Sequence, residues 1–218
     1  PKRPLWGYEL DNNPQVMEKW IDAATNHGVN TFIFDWYWFD EGPFLESSLN
    51  DGFLKASNRE KMNFYLMWAN HDVKQNYWNV HKYPDVDTLL WDGAVDLANF
   101  KAVVDRVITQ YFSQPNYTKI DGMPVFSIFS LTNLKEGLGG LEAAQNAINY
   151  FREQTKAAGF PGLHLQAILF GQPNQNTIET VEALNFNSAT QYNWGWMREQ
   201  DYLKWGAKAI ERRDASVE

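Results

Sequence analysis

Residues 31–46 read TFIFDWYWFDEGPFLE, and the division of this stretch into strand and loop decides the fold. From Thr31 to Phe39 the run is apolar except for one acid, Asp35. Short runs of aromatic and β-branched residues of this kind belong to strands covered on both faces, as in parallel sheets. Alternate side chains of a strand point to opposite faces. Asp35 and Tyr37 therefore share one face, and Trp36 and Trp38 share the other. One pair looks into a cleft or barrel interior and the other toward covering helices. Asp40 and Glu41 follow at once, so the strand ends in a cluster of rings and acids. Two readings stand: rings that close over a core, or one wall of a sugar-binding cleft. A lone acid in an apolar strand is costly without a partner or ligand, which gives Asp35 and its neighbour Tyr37 a reason to touch substrate.

Working outward, short apolar runs alternate with amphipathic helical stretches. Residues 4–10 (PLWGYEL) read as a strand, followed by a helix with Asn13 as N-cap, Pro14 at its first position and Gly28 just past its end. Val16, Trp20, Ala23 and Ala24 fall on one face of that helix. Further strands are read at 62–70, at 123–130 after the Asp121-Gly122 turn, at 163–171 and at 186–194. Helices are read at 95–112, at 141–159 ending on Gly159, at 176–185 and at 199–213. Alternating strands and helices imply a parallel sheet with helical crossovers. No linker or fixed repeat divides the chain, so residues 1–218 are read as a single domain of about six βα units.

The chemistry gathers at the strand C-termini: Tyr8-Glu9, Asp35 to Trp38, Trp68 to Asp72, Phe129-Ser130, Phe170 to Gln172 and Gln191 to Trp194. Strand C-termini build the active site in (β/α) barrels, although open doubly wound sheets bind there too. No glycine-rich phosphate loop follows the first strand. The candidates for sugar contact are Tyr8, Asp35, Trp36, Tyr37, Trp38, Trp68, Asn70, His71, Tyr192 and Trp194. An indole stacks on the apolar face of a pyranose, and Asn offers a donor and an acceptor to hydroxyls. Packing of the rings in the core is the competing reading for each. Asp35 and Glu9 are the candidate catalytic acids, with a rim salt bridge as the alternative for Glu9. His71 and Asp72 form a possible acid–base pair. The long loop after residue 70 adds Tyr77, Trp78, His81 and Trp91, as a lid or as a satellite hydrophobic cluster.

Composition narrows the class. Trp, Tyr and Phe number 10, 10 and 14, more rings than an ordinary core needs. A formal charge of −8 argues against nucleic acid, which is held by Lys and Arg on phosphates. No apolar stretch approaches the ~20 residues of a spanning helix. The chain has no cysteine, which excludes disulfides and thiolate chemistry. Its four His are scattered, without metal-ligand spacing, and no cofactor is expected.

Three stretches in order, DNNPQVMEKWIDAATNHGVNTFIFDWYWFDEGPFLE, FYLMWANHD and YTKIDGMPVFSIF, carrying four motifs (the helix ending before Gly28-Val29, the aromatic strand end YWF, WAN and YTKIDGMPVF), resemble the glycoside hydrolase family 99-like proteins. That group includes endo-acting α-mannosidases and polysaccharide-locus proteins labelled glycosyltransferases. The resemblance covers residues 5 to 196. It implies a (β/α)8 TIM-type barrel acting on glycosidic bonds, with aromatic sugar subsites and a carboxylate pair in a motif like Asn-Glu-Trp-x-Glu after the last strand. No Glu-Trp dipeptide occurs in this chain, and an intact barrel takes about 250 residues. The expectation is an incomplete barrel, holding most of the cleft without its catalytic edge. The implied function is hydrolysis of α-linked glycans, endo-mannosidase-like, with an oligosaccharide or polysaccharide as partner in a secreted or periplasmic bacterial setting. The alternatives are a non-catalytic glycan-binding barrel and a glycosyltransferase of polysaccharide assembly.

Overall fold

A computed structural model describes residues 3–39, 42–78, 81–82, 87–170, 174–192 and 204. Its strands are β1 (Thr31–Phe39), β2 (Gly42–Phe44), β3 (Asn63–Trp68), β4 (Val73–Lys74), β5 (Leu89–Trp91), β6 (Lys119–Ile120), β7 (Met123–Ile128), β8 (His164–Leu169) and β9 (Ser188–Gln191). Its helices are α1 (Pro14–Asn26), α2 (Gln75–Trp78), α3 (Leu97–Val107), α4 (Leu131–Leu138), α5 (Leu141–Ala157) and α6 (Gln175–Ala183). The main sheet has the order β2-β1-β3-β7-β8-β9, with β6 on β7. β1, β3, β7, β8 and β9 run parallel, with a crossover between each consecutive pair as the alternating pattern requires. β2 folds back antiparallel on the end of β1, and β4 pairs β5 in a separate hairpin.

The sequence boundaries hold where local chemistry sets them. The Asn13 side chain accepts from the Gln15 N–H, with Pro14 at the first helical position. Asp121 and Gly122 both have positive φ, the geometry of a tight hairpin turn between β6 and β7. The corrections also have local causes. Residues 4–10 form no strand, because Gly7 N donates to Pro4 O at 3.0 Å and closes a turn. The described residues therefore contain five parallel strands, and the count of six βα units read from sequence is reduced accordingly. α1 buries Val16, Met17 and Ile21, leaving Trp20 on its exposed side. Helix α4, a stretch given no element in the sequence reading, is capped by Ser130, whose side chain accepts from Asn133 N–H. The helix expected at 199–213 lies outside the described residues, apart from the single position 204.

The core sits between the sheet and the helices. Phe64, Leu66 and Trp68 of β3, Phe126 and Ile128 of β7, and Leu165 and Ala167 of β8 face Phe100, Val104 and Val107 of α3 and Ile148 and Phe151 of α5. The opposite face is concave and built from the odd positions of β1, β3 and β7 with the even positions of β8 and β9. One lateral row across it is Asp35, Met67, Ser127, Gln166 and Ser188.

Candidate functional site

The parity of β1 decides which rings can meet a ligand. Even positions turn to the helices, where Trp36 and Trp38 are buried. The Trp36 indole N–H donates to Glu46 Oε1 at 2.6 Å and that of Trp38 to Asn99 Oδ1 at 3.0 Å. Trp68 is fully buried against Phe100. These three indoles, expected as sugar platforms, are core residues in this structure, since a ring enclosed by helices offers no face to a pyranose. Asn70 is also buried. Its Nδ2 donates to Ser130 O at 2.8 Å and its Oδ1 accepts from Ser130 N at 2.7 Å, so its carboxamide clamps the ends of β3 and β7 and has no free polar atom for a ligand.

Tyr8 and Glu9 are not at a strand end. Tyr8 is 78% exposed in the irregular segment before α1, and Glu9 pairs with Lys19 of that helix at 2.9 Å. This is the ion-pair alternative rather than a catalytic acid in a cleft. Asp40, Glu41, Asn193 and Trp194 lie outside the described residues, as does the side chain of Trp78. Trp91 packs on Phe39 and Phe44 with ring centroids 5.9 and 5.2 Å away, a satellite cluster beneath the β4–β5 hairpin.

Asp35, Tyr37, His71 and Tyr192 do come together, above the C-terminal ends of the strands. The Tyr37 and His71 rings meet edge-on at 5.9 Å, and His71 meets Phe129 at 5.3 Å. Phe129 contacts Phe170 at 4.8 Å and Tyr192 at 5.2 Å, and these two contact each other at 5.4 Å. The result is a chain of five rings along the concave face, with Phe170 52% and Tyr192 46% exposed at its end. Met67, Ala69 and Ile168 make the apolar floor beneath it. Phe129 and Phe170 were visible in the sequence as strand-end rings; without polar handles they did not rank as contacts.

The electrostatics centre on Asp35. Asp35 is exposed, but desolvation by the groups around it still pushes its carboxyl above the usual range, while the His71 charge pulls the other way. Burial and the Asp35 charge also raise the phenols of Tyr37 and Tyr192. His71 Nδ1 lies 2.9 Å from Asp72 O; donation there leaves Nε2 as the acceptor of the neutral ring. Asp72 accepts from Gly93 N–H and from Asn133 Nδ2, at 3.2 and 2.8 Å, so it anchors the loop and does not serve as the base of His71. The group can hold a proton on Asp35 and present flat rings to an apolar surface. Among the described residues no three or more His, Asp or Glu gather as a metal site, and no helix is long and apolar enough to cross a membrane.

Five parallel strands with crossover helices, and a polar-aromatic site over their C-terminal ends, define a domain of the (β/α)-barrel type; among the described residues the sheet runs from β1 to β9 without closing. Solved structures agree. The GH99 endo-alpha-mannosidase from Bacteroides thetaiotaomicron matches with a TM-score of 0.52 at 12% identity, over 88% of this chain and 47% of its own. A "glycoside hydrolase-like protein" matches with a TM-score of 0.58 at 16% identity, over 90% of this chain and 57% of its own. The chain thus spans about half the length of these two structures. No curated protein sequence matches it. The chain belongs to the family described as Glycosyltransferase WbsX, whose model matches residues 1–215. The resemblance carried by the sequence motifs and the fold that it implied are both supported by these matches.

Proposed function

We propose that the concave face binds an α-linked glycan and that the whole protein hydrolyses it, in the manner of an endo-mannosidase. The observation that carries this reading is the line of rings Tyr37, His71, Phe129, Phe170 and Tyr192 beside Asp35. Such rings suit the apolar faces of successive sugars, and a carboxyl raised by desolvation suits a proton donor. A neutral glycan fits best. The concave positions of the five parallel strands carry Asp35 and no Lys or Arg, so the pyrophosphate of a nucleotide-sugar would meet an acid and no cation there. This sets glycosyl transfer behind hydrolysis. The test is incubation with α-linked manno-oligosaccharides, with chromatography of the products. Release of shorter sugars that Asp35→Asn slows is the expected result.

A second reading has its own observation. Glycosidases use two carboxyl groups about 5–9.5 Å apart, whereas Asp35 stands alone on the described concave positions. On this reading the domain binds glycan without cleaving it. Binding without product would favour it, with Tyr192→Ala and Phe170→Ala each weakening affinity about tenfold by loss of ring stacking. Neither binding nor release by the unmodified protein would refute both readings.

A further inference from the structure

Beyond the ring chain, a cavity of about 230 Å³ opens where the crossovers after β7 and β8 begin. Ser130 and Leu131 at the start of α4, Asn174 and Thr177 at the start of α6, and Phe129 and Phe170 between them form its walls. No charged side chain lines it among the described residues. The helix caps fix the hydrogen-bonding roles of its polar walls. A backbone N–H only donates, so the Asn174 atom that meets Thr177 N at 2.9 Å is the carboxamide oxygen. The same oxygen accepts from the Thr177 hydroxyl at 3.0 Å. Asn174 therefore keeps its –NH2 group as a donor outside the cap, and the Thr177 hydroxyl, with its proton used, keeps its lone pairs as acceptors. By the same argument Ser130 Oγ accepts from Asn133 N at 3.1 Å and retains its own proton to donate. Ser130 is held in place by Asn70, which bonds both its N–H and its carbonyl. Phe170, 52% exposed, adds a ring face.

We propose that this cavity is a subsite for one neutral sugar ring of a longer glycan. The proposal rests on the glycan reading above and adds where the glycan runs beyond Asp35. Donors, acceptors and a ring face without any charge suit a polyhydroxylated ring, and suit neither a phosphate nor an acyl chain. The volume falls below the roughly 300–1,000 Å³ of sites that enclose a drug-sized ligand, which limits it to a single ring. Phe129 and Phe170 belong both to the cavity and to the ring chain, so the two surfaces are continuous. In the sheet order β1-β3-β7-β8 the cavity lies two to three strand spacings from Asp35, a lateral distance of about 10–14 Å. One pyranose does not span that distance. A glycan that meets Asp35 and also fills the cavity has several sugars, and the site thereby selects for chain length.

The experiment is calorimetric titration of the full chain with linear α-linked mannobiose, mannotriose and mannotetraose. Affinity should rise about tenfold at one lengthening step, where a ring enters the cavity. Thr177→Trp, which places an indole in the cavity, should erase that step and bring the longer sugars down to the affinity of mannobiose. Asn174→Ser keeps a capping oxygen for α6 and removes the –NH2 donor. It should shrink the step to about threefold with unchanged far-UV circular dichroism, and so carries the test if the Trp variant fails to fold. A full step that survives in either folded variant would overturn the subsite and leave the glycan reading intact, as would equal affinity of the unmodified protein for all three sugars. No binding of any of them by the unmodified protein would overturn both.

Discussion

Replacing Glu46 by Gln should destabilise the fold far more than its position outside the sheet suggests. Glu46 Oε1 accepts from the Trp36 indole at 2.6 Å, from Tyr111 at 2.8 Å and from Arg106 Nε at 2.9 Å; Oε2 accepts from Arg106 Nη2 and from Asn50 at 3.2 Å. The side chains of Glu46 and Arg106 are 10% and 26% exposed. Burial pushes the Glu46 carboxyl up, but the hydrogen bonds from Arg106, Trp36 and Tyr111 and the Arg106 charge outweigh it and hold the group below its usual range. Glu46→Gln removes the charge and turns one acceptor into a donor that faces other donors. Breaking a buried pair on one side costs about 3–5 kcal/mol; the partial exposure of Arg106 brings the figure to about 2–4 kcal/mol here. For a chain of this size each kcal/mol lowers Tm by about 2–4 °C, so a fall of roughly 4–16 °C is expected by circular dichroism. Because the folded-state pKa is depressed, the stabilisation is present above the ordinary Glu value near ~4.3 and fades as pH drops through the lower folded value. The deficit of the variant should therefore shrink as pH falls below the ordinary Glu value. Arg106→Met added to Glu46→Gln should recover part of the loss, since no unpaired cation then remains. A Tm for Glu46→Gln within 1 °C of the parent at pH 7, on the order of a few tenths of a kcal/mol, would refute this account.

Three further outcomes follow from the same geometry. Asn70→Ala removes both bonds to Ser130; a loss of about 2–3 kcal/mol by urea titration is expected, and a loss under 0.5 kcal/mol would show that the strand ends hold without the clamp. At Gly93 an added Cβ would lie 2.4 Å from the His71 carbonyl carbon and 2.7 Å from that of Asn70. Gly93→Ala should therefore cost about 1–3 kcal/mol and move the His71 ring resonances in NMR; unmoved resonances would contradict the contact. Asp35→Asn should raise Tm at pH 7, because a carboxyl whose folded pKa is raised favours the protonated form and its ionised form strains the fold above that pKa. The gain should vanish below the ordinary Asp value near ~3.9, and a variant equally stabilised at both ends of the pH range would rule out the titration of Asp35 as its cause.

The sequence made the parallel α/β architecture and most strand positions legible, because hydrophobic period, N-caps and the Asp121-Gly122 turn are local signals. It also placed Asp35 and Tyr37 on the face opposite Trp36 and Trp38. Which face is the cleft was not legible, since the answer depends on partners distant in the chain. Trp36 finds Glu46 ten residues away and Trp38 finds Asn99 sixty-one residues away. Acceptors held at those distances let Trp36 and Trp38 sit in the core, while Trp68 is buried there with no partner for its Nε1 among the described residues. Asn70 failed as a ligand candidate for a similar reason: its partner Ser130 belongs to another βα unit. The turn at Pro4–Gly7 was local and could have been read from proline and glycine at that spacing.

Gln166 was within reach as well. The argument that singled out Asp35, one polar residue in an apolar strand, applies equally to the Gln of LHLQAILFG. Parity places it with Asp35 once the registers of β1, β3, β7 and β8 are known. A polar residue that interrupts a strand covered on both faces must either be satisfied by its neighbours or face a ligand. Asn70 and Ser127 are satisfied by neighbours. Gln166 is likewise held, by Ser127 and Tyr65, whereas Asp35 is exposed on the concave face. The site is therefore best defined by Asp35, the one carboxyl on the described positions of that face, with the rings supplying its walls.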